Sequence, residues 1–183
     1  MSSQLTVIAG PTAVGKGTVV NYILANFPQV HLSVSATTRA PRPGEVDGKD
    51  YFFLSMAEFD ALIEAGDMLE YAVVHGVNKY GTPRRPIIEA LARGEQVLLE
   101  IDIQGARQVK TAMPEARLIF IAPPTWEDLV ERLSSRGTES PQEQALRLTT
   151  ARVELAAKDE FDHVVINDDV ARCAHEVVDL MQA

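Results

Sequence analysis

Hydrophobic and polar positions fall into two patterns that alternate along the chain. "LTVIAG" (5–10) is a short apolar run, rich in β-branched residues and ended by Gly10, which reads as a buried strand. Beyond "PTAVGKG" the apolar residues Val19, Val20, Ile23, Leu24 and Phe27 recur at helical spacing. Three further runs, "QVLLEID" (96–102), "RLIFIA" (117–122) and "HVVIN" (163–167), are continuously apolar rather than alternating. Strands covered on both faces carry that signature. Helical patterns occupy about 104–112, 125–135, 141–158 and 170–182. The alternation predicts an α/β fold with a parallel central sheet and helices on both of its faces.

Residues 33–82 break the pattern. "RAPRPGEVDGKDYFF" is followed by a helix-like "MAEFDALIEAG" and then by "DMLEYAVVHGVNKYGTP". Short strands separated by turn residues predict a small inserted α+β lobe rather than another strand–helix unit. A polar stretch, "SSRGTESPQEQ" (134–144), reads as a mobile loop leading into a helix. The expected organisation of residues 1–183 is one domain. Its core comprises about 1–32, 83–125 and 159–183, interrupted by the lobe at about 33–82 and by a segment at about 126–158.

Composition narrows the function. With 46% hydrophobic and 23% charged residues the chain matches an ordinary globular protein, and its 183 residues suffice for a substantial core. The formal charge of −9 argues against a general nucleic-acid binder, because backbone-phosphate affinity needs clustered Lys and Arg. No run approaches the roughly 18 apolar residues of a membrane span, and "MSSQLTVIAG" lacks the basic start of a secretory signal. The single cysteine, Cys173, excludes an intrachain disulfide and fits a reducing cytoplasm. The expectation is a cytoplasmic protein with neither membrane nor nucleic-acid partners. Against this acidic background "SATTRAPRPGE" (35–45) holds Arg39 and Arg42 in a segment stiffened by Pro41 and Pro43. Positive charge concentrated locally points to a small anionic ligand.

A second anion site is written at the first strand–helix junction. "GPTAVGKGT" (10–18) has the glycine, four residues, Gly15-Lys16 spacing of a P-loop. Glycines let the backbone curl so that several N–H groups face inward, and the helix N-terminus adds its positive end. Lys16 supplies a cation for the β- and γ-phosphates of a nucleoside triphosphate. Gly17 stands where Ser or Thr usually follows the lysine; Thr18, next along, offers a hydroxyl near Mg²⁺, directly or through water. "VLLEID" ends in Glu100 and Asp102. Two residues apart on a strand, they would share one face at its carboxyl end, where α/β sheets bind ligands.

The segments "SATTRAPRPGEVDGKDYFF", "LEY", "YGTP", "EIDIQG", "FIAPP", "RGTES" and "VINDD" occur in the order seen in guanylate kinases, and the resemblance runs from about residue 5 to 182. It implies a three-layer P-loop NTPase fold with a parallel central sheet, an inserted small α+β GMP-binding lobe and a mobile lid at about 126–158. It also implies transfer of the ATP γ-phosphoryl group to GMP, with Mg²⁺ and without a covalent enzyme intermediate; dGMP is an alternative acceptor. ATP would lie on Gly10, Pro11, Thr12, Ala13, Val14, Gly15, Lys16, Gly17 and Thr18, with Asn167 at the adenine. Arg39, Arg42, Tyr51 and Tyr80 would grip the GMP phosphate, since guanidinium forks bond phosphate bidentately and phenols add neutral donors. Glu70 would accept from guanine N1–H and its 2-amino group while Ser35 and Thr82 donate to O6, with Glu100 and Asp102 completing the site. Adenine reverses that edge and would leave the Glu70 carboxylate unpaired, which discriminates strongly. Lys16, Arg39, Arg136 and Arg147 would stabilise the transferring phosphoryl, with Thr18 and Asp102 nearest the metal.

Several residues allow a plainer explanation. Surface salt bridges would account for Arg132 and Arg152. Asn167 opens an Asn-Asp-Asp run that is also a helix-start signal, with Asp168 or Asp169 as N-cap. The histidines at 31, 75, 163 and 175 lack metal-ligand spacing. A non-catalytic binding module on the same scaffold is disfavoured by the intact P-loop and arginines. A sugar-phosphate kinase is disfavoured by Glu70, Tyr80 and Thr82, which have no use without a guanine edge.

Overall fold

The computed structural model describes residues 5–74, 76–134 and 141–183. In chain order the elements are β1 (Leu5–Ala9), α1 (Lys16–Asn26), β2 (Val30–Leu32), β3 (Ala36–Thr37), β4 (Phe52–Phe53), α2 (Met56–Glu64), β5 (Met68–Val74) and β6 (Asn78–Pro83). Then come α3 (Arg84–Ala92), β7 (Gln96–Glu100), α4 (Ile103–Ala112), β8 (Arg117–Ala122) and α5 (Trp126–Ser134). The chain finishes with α6 (Pro141–Ala156), a 3₁₀ turn (Ala157–Glu160), β9 (His163–Ile166) and α7 (Val170–Gln182).

Five strands form a sheet in the order β2-β7-β1-β8-β9, every neighbouring pair parallel. Successive side chains on a strand point to opposite faces, and here both faces are apolar. Ile8, Leu98, Ile119 and Ile121 meet Val19, Ile23, Leu129, Cys173 and Val177 of α1, α5 and α7. Val7, Leu99, Leu118 and Phe120 meet Ile87, Ala90, Ile103 and Val109 of α3 and α4. Each such Leu, Ile or Phe contributes about 1.5–3 kcal/mol on burial, so the sheet is held from both sides. This is the three-layer α/β architecture expected, with β1 at its centre.

A second sheet, β4-β3-β6-β5, is largely a β5–β6 antiparallel hairpin with a register shift between Met68 and Glu70. The α2 helix begins at a capping box: Ser55 accepts from the Glu58 N–H while the Glu58 side chain accepts from the Ser55 N–H. It lays Phe59 against Ala36 and Met68 in a small core of its own.

Three expectations need correction. The run 96–102 is not one strand: β7 stops at Glu100, and Asp102 is the N-cap of α4, accepting from the Gly105 N–H at 2.7 Å. The two carboxylates therefore do not share a strand face; capping the next helix competed successfully for Asp102. The short strand β2 and the helix α3 went unrecognised. The latter buries only Ile87 and Ala90 fully, too few positions for a clear helical stripe. The helix predicted to 158 ends at 156 and tightens into the 3₁₀ turn. Among the described residues no helix is long and apolar enough to cross a membrane.

Candidate active site

The loop leaving β1 is held in a shape that only particular residues permit. A Cβ on Gly10 would lie 2.3 Å from the Ile121 carbonyl oxygen, and one on Gly15 (φ +96°) would lie 2.7 Å from Asn167 Nδ2. Ala13 adopts φ +65°, which costs a residue with a Cβ about 1–2 kcal/mol. The strain is held by a brace behind the loop. The Val14 carbonyl accepts from Asn167 Nδ2 at 2.8 Å and from Arg132 Nη1 at 3.0 Å, and Arg132 Nη2 donates to the Asn167 carbonyl at 3.0 Å. Arg132 is thus a structural tie between α5, the loop and the end of β9. Asp169, rather than Asp168, caps α7 by accepting from the Arg172 N–H at 2.9 Å.

Lys16 starts α1 and donates to the Gly10 and Pro11 carbonyls at 2.6 and 3.3 Å. Burial lowers its pKa, opposed by the charges of Glu100, Glu154 and Asp102. Gly17 and Thr18 are exposed on the first turn of α1. Thr18 also lines a hollow of about 240 Å³ with Gly15, Arg132, Asn167, Asp168 and Val170.

The arginine-rich loop is organised by side chains instead. Arg39 donates through Nε to the Tyr80 hydroxyl (3.2 Å), through Nη1 to the Ala40 carbonyl and Glu45 (both 2.8 Å), and through Nη2 to Glu45 (2.9 Å). Its guanidinium lies 5.4 Å from the Tyr51 ring centre and 5.7 Å from that of Phe53. The Arg39 fork, aided by the Arg42 backbone N–H at 2.6 Å, holds the Glu45 carboxyl down at about 2. Arg42 itself is exposed.

Between these two loops, Ser35, Tyr51, Glu70, Tyr80, Glu100 and Asp102 line one pocket of about 160 Å³. Glu70 is only 7% exposed, which rules out a merely solvated acid. Burial raises its pKa, opposed by the hydrogen bond from Thr82. That bond, Thr82 Oγ1 to Glu70 at 2.6 Å, revises one expectation: the fully buried Thr82 commits its proton to Glu70 and orients the acid. Glu100 reaches from this pocket to the phosphate loop, where its Oε1 lies 3.8 Å from the place of a Cβ on Gly17. Burial raises its pKa as well, opposed by Lys16.

On α6, Arg147 has its Nη1 shielded from solvent, and the Arg152 guanidinium stacks 5.0 Å from the Trp126 ring centre. Arg152 therefore braces α6 on α5 through a cation–π contact. Arg136 and His75 lie outside the described residues. One site residue escaped the sequence reading: Glu154 Oε2 accepts from the Thr12 backbone N–H at 2.9 Å. A single acid on a polar helix offers no signal of its own.

The family model "Guanylate kinase" matches residues 2–183. A guanylate kinase of Leifsonia xyli subsp. xyli is 66% identical over 97% of this chain and 70% of its own length. One from Nocardia farcinica is 58% identical over 97% of this chain and 92% of its own. The crystal structure of guanylate kinase from Anaplasma phagocytophilum superposes with a TM-score of 0.74 at 34% identity, covering 97% of this chain and 84% of that one. With the P-loop, the buried acid and the arginine-rich loop all present, and with these matches over nearly its whole length, this chain belongs to the guanylate kinase family.

Proposed function

We propose that this chain, an ATP:GMP phosphotransferase by its family, holds ATP on residues 10–18 and GMP in a lobe formed by about 33–82, with about 126–158 as the lid. One observation carries the assignment: Glu100 lines the pocket around buried Glu70 and also lies beside the phosphate loop, its Oε1 3.8 Å from the place of a Cβ on Gly17. Acceptor and donor sites thereby face one another, as direct transfer requires.

Glu70, held by Thr82, accepts from guanine N1–H and the 2-amino group, and Ser35 donates to O6. AMP presents the reverse pattern at that edge and leaves a buried carboxylate unpaired. The GMP phosphate is gripped by Arg39, Arg42, Tyr51 and Tyr80. Four of the five Arg39 N–H groups already have protein partners, so the phosphate takes over bonds now made to Glu45. Lys16 exchanges the Gly10 and Pro11 carbonyls for the β- and γ-phosphates, and Arg147 and Arg136 neutralise the moving phosphoryl. The attacking oxygen belongs to GMP, so no side-chain nucleophile is needed. Closure of lobe and lid excludes water from the phosphates. The adenosine end occupies the hollow beside Gly15 and Thr18, with Asn167 forming its wall.

The residues present suit Mg²⁺. Among the described residues no group of three or more His, Cys, Asp or Glu could cage a metal. The exposed Thr18 hydroxyl and the Asp102 and Glu100 carboxylates can hold a hard cation that keeps most of its ligands from phosphate and water. When bound, Mg²⁺ neutralises charge on the β- and γ-phosphate oxygens.

The test is ADP release from ATP and Mg²⁺ with GMP, AMP, CMP, UMP or no acceptor. Rapid ADP formation with GMP alone is expected; equal rates with AMP would overturn the role given to Glu70. GMP binding without turnover would move the reading toward a binding module.

A further inference from the structure

Glu154 does something none of the roles above requires. It joins the C-terminal half of α6 to the backbone of the phosphate loop, accepting from the Thr12 N–H at 2.9 Å across 142 residues of sequence. Its charge is also among those acting on Lys16. Arg147, Ala151 and Glu154 lie at i, i+4 and i+7 and so share one helical face. That face is the inward one: Ala151 is fully buried, and Leu148 and Leu155 pack on the main core. On the opposite side Leu146 and Val153 are 68% and 69% exposed. Small residues such as Ala151 permit a helix to rotate over its neighbours. A directional hydrogen bond at one end does not.

We propose that Glu154 is a positioning residue for phosphoryl transfer: by binding the phosphate loop it fixes the rotation of α6 and thereby aims Arg147 into the cleft. The inference rests on the reading that Arg147 acts on the transferring phosphoryl. A carboxylate is suited to this pin because an acceptor anion bonds a backbone N–H more strongly than a neutral group does. Glu154 also lines the cleft of about 500 Å³ beside the loop, together with Val73, Asp102, Thr150 and Val153 among others.

The experiment compares Glu154→Ala, Glu154→Gln, Arg147→Ala and the double variant Glu154→Ala/Arg147→Ala in steady-state assays with ATP and GMP. Glutamine keeps an acceptor oxygen for Thr12; alanine does not. Glu154→Ala should lower kcat by about 10-fold or more, since misplacement of about 1 Å can cost 10²-fold, with the GMP KM nearly unchanged. Glu154→Gln should recover most of that loss. In the double variant kcat should match Arg147→Ala alone, because the pin acts through that arginine. Wild-type kcat in Glu154→Ala, equal damage in both Glu154 variants, or losses that multiply in the double variant would overturn the proposal. So would a tighter ATP KM in both Glu154 variants, which would make Glu154 a competitor for the phosphate site. If Arg147→Ala turns over normally, the role of Arg147 fails first. If it is slow while Glu154→Ala is not, only the pin fails. Melting temperatures identify a variant that does not fold; should Glu154→Ala be one, Glu154→Asp, one methylene too short, must show the same fall in kcat.

Discussion

Under the proposed function the phosphate loop at 10–18 and the arginine loop at 35–53 both take anions, by opposite means. The first is backbone. Its shape comes from Gly10 and Gly15, which tolerate no Cβ, and from a brace of Asn167 and Arg132 on the Val14 carbonyl. Lys16 is the side chain that has to exchange partners, while the Thr12 N–H is held by Glu154. The second is made of side chains that currently satisfy one another, Arg39 with Glu45 and Tyr80. Ligand must replace partner there. A fixed backbone cradle suits a phosphate chain that always enters the same way. In the proposed function an exchangeable clamp suits a lobe that closes around a small acceptor, because each bond lost to Glu45 would be regained with phosphate.

The comparison can be broken in several places, the largest effect first. Lys16→Ala should lower kcat by about 10²–10³-fold or more with melting temperature little changed, as loss of a cation at the transferring group does; single-turnover ADP formation measures it. Arg39→Ala should cut kcat/KM for GMP by about 10²-fold while the ATP KM stays within about twofold. Equal damage to both substrates would show that the two loops are not separable. Gly15→Ala should destabilise the fold by about 1–3 kcal/mol, because a side chain there meets Asn167 and sits at φ +96°. Thermal unfolding would register it, and Gly44→Ala is the control: Gly44 shares a positive φ (+90°) but its Cβ would meet nothing within 4 Å, so it should lose less.

The smallest effect is a pH dependence. Burial raises the Glu70 pKa, so on acidification this acid takes up its proton at higher pH than an exposed carboxylate. Protonation replaces an acceptor by a donor opposite guanine N1–H. The GMP KM should therefore rise several-fold as pH falls through that window, while the ATP KM moves less. Stability runs the other way. A raised carboxyl pKa means the ionised form is disfavoured by folding, so this cost is relieved as pH falls through it. Glu70→Gln should flatten the GMP profile. Glu45 behaves oppositely: with its pKa held at about 2, its bond to Arg39 persists through the whole range and is lost only as pH falls through that value.

How much of this was legible beforehand varied from residue to residue. Gly10, Gly15 and Lys16 were readable because a phosphate loop is a local object whose spacing is its mechanism. Arg39 stood out locally as positive charge on an acidic chain, whereas Tyr51, Glu70 and Tyr80 were assigned only through resemblance, since a lone Glu or Tyr in a lobe carries no local sign of its neighbours. Asp102 was misplaced because the sequence cannot tell a strand's last residue from the next helix's cap when both favour an acid there. The contacts of Arg132, Arg152 and Glu154 could not be read for one reason: their partners, Val14, Trp126 and Thr12, are distant in the chain.

Pattern and composition by themselves determined the parallel sheet, the phosphate loop between its first strand and the following helix, and an inserted lobe. Those follow from the periodicity of burial and from backbone requirements that act within a few residues. Tertiary structure alone decided which polar groups serve the ligand and which serve the scaffold. Thr82 was turned toward Glu70, Asn167 and Arg132 toward the Val14 carbonyl, and Glu154 toward Thr12. The physical reason is that a buried polar group must find a partner wherever the fold has placed one, and that partner is set by the packing of the elements rather than by the order of residues.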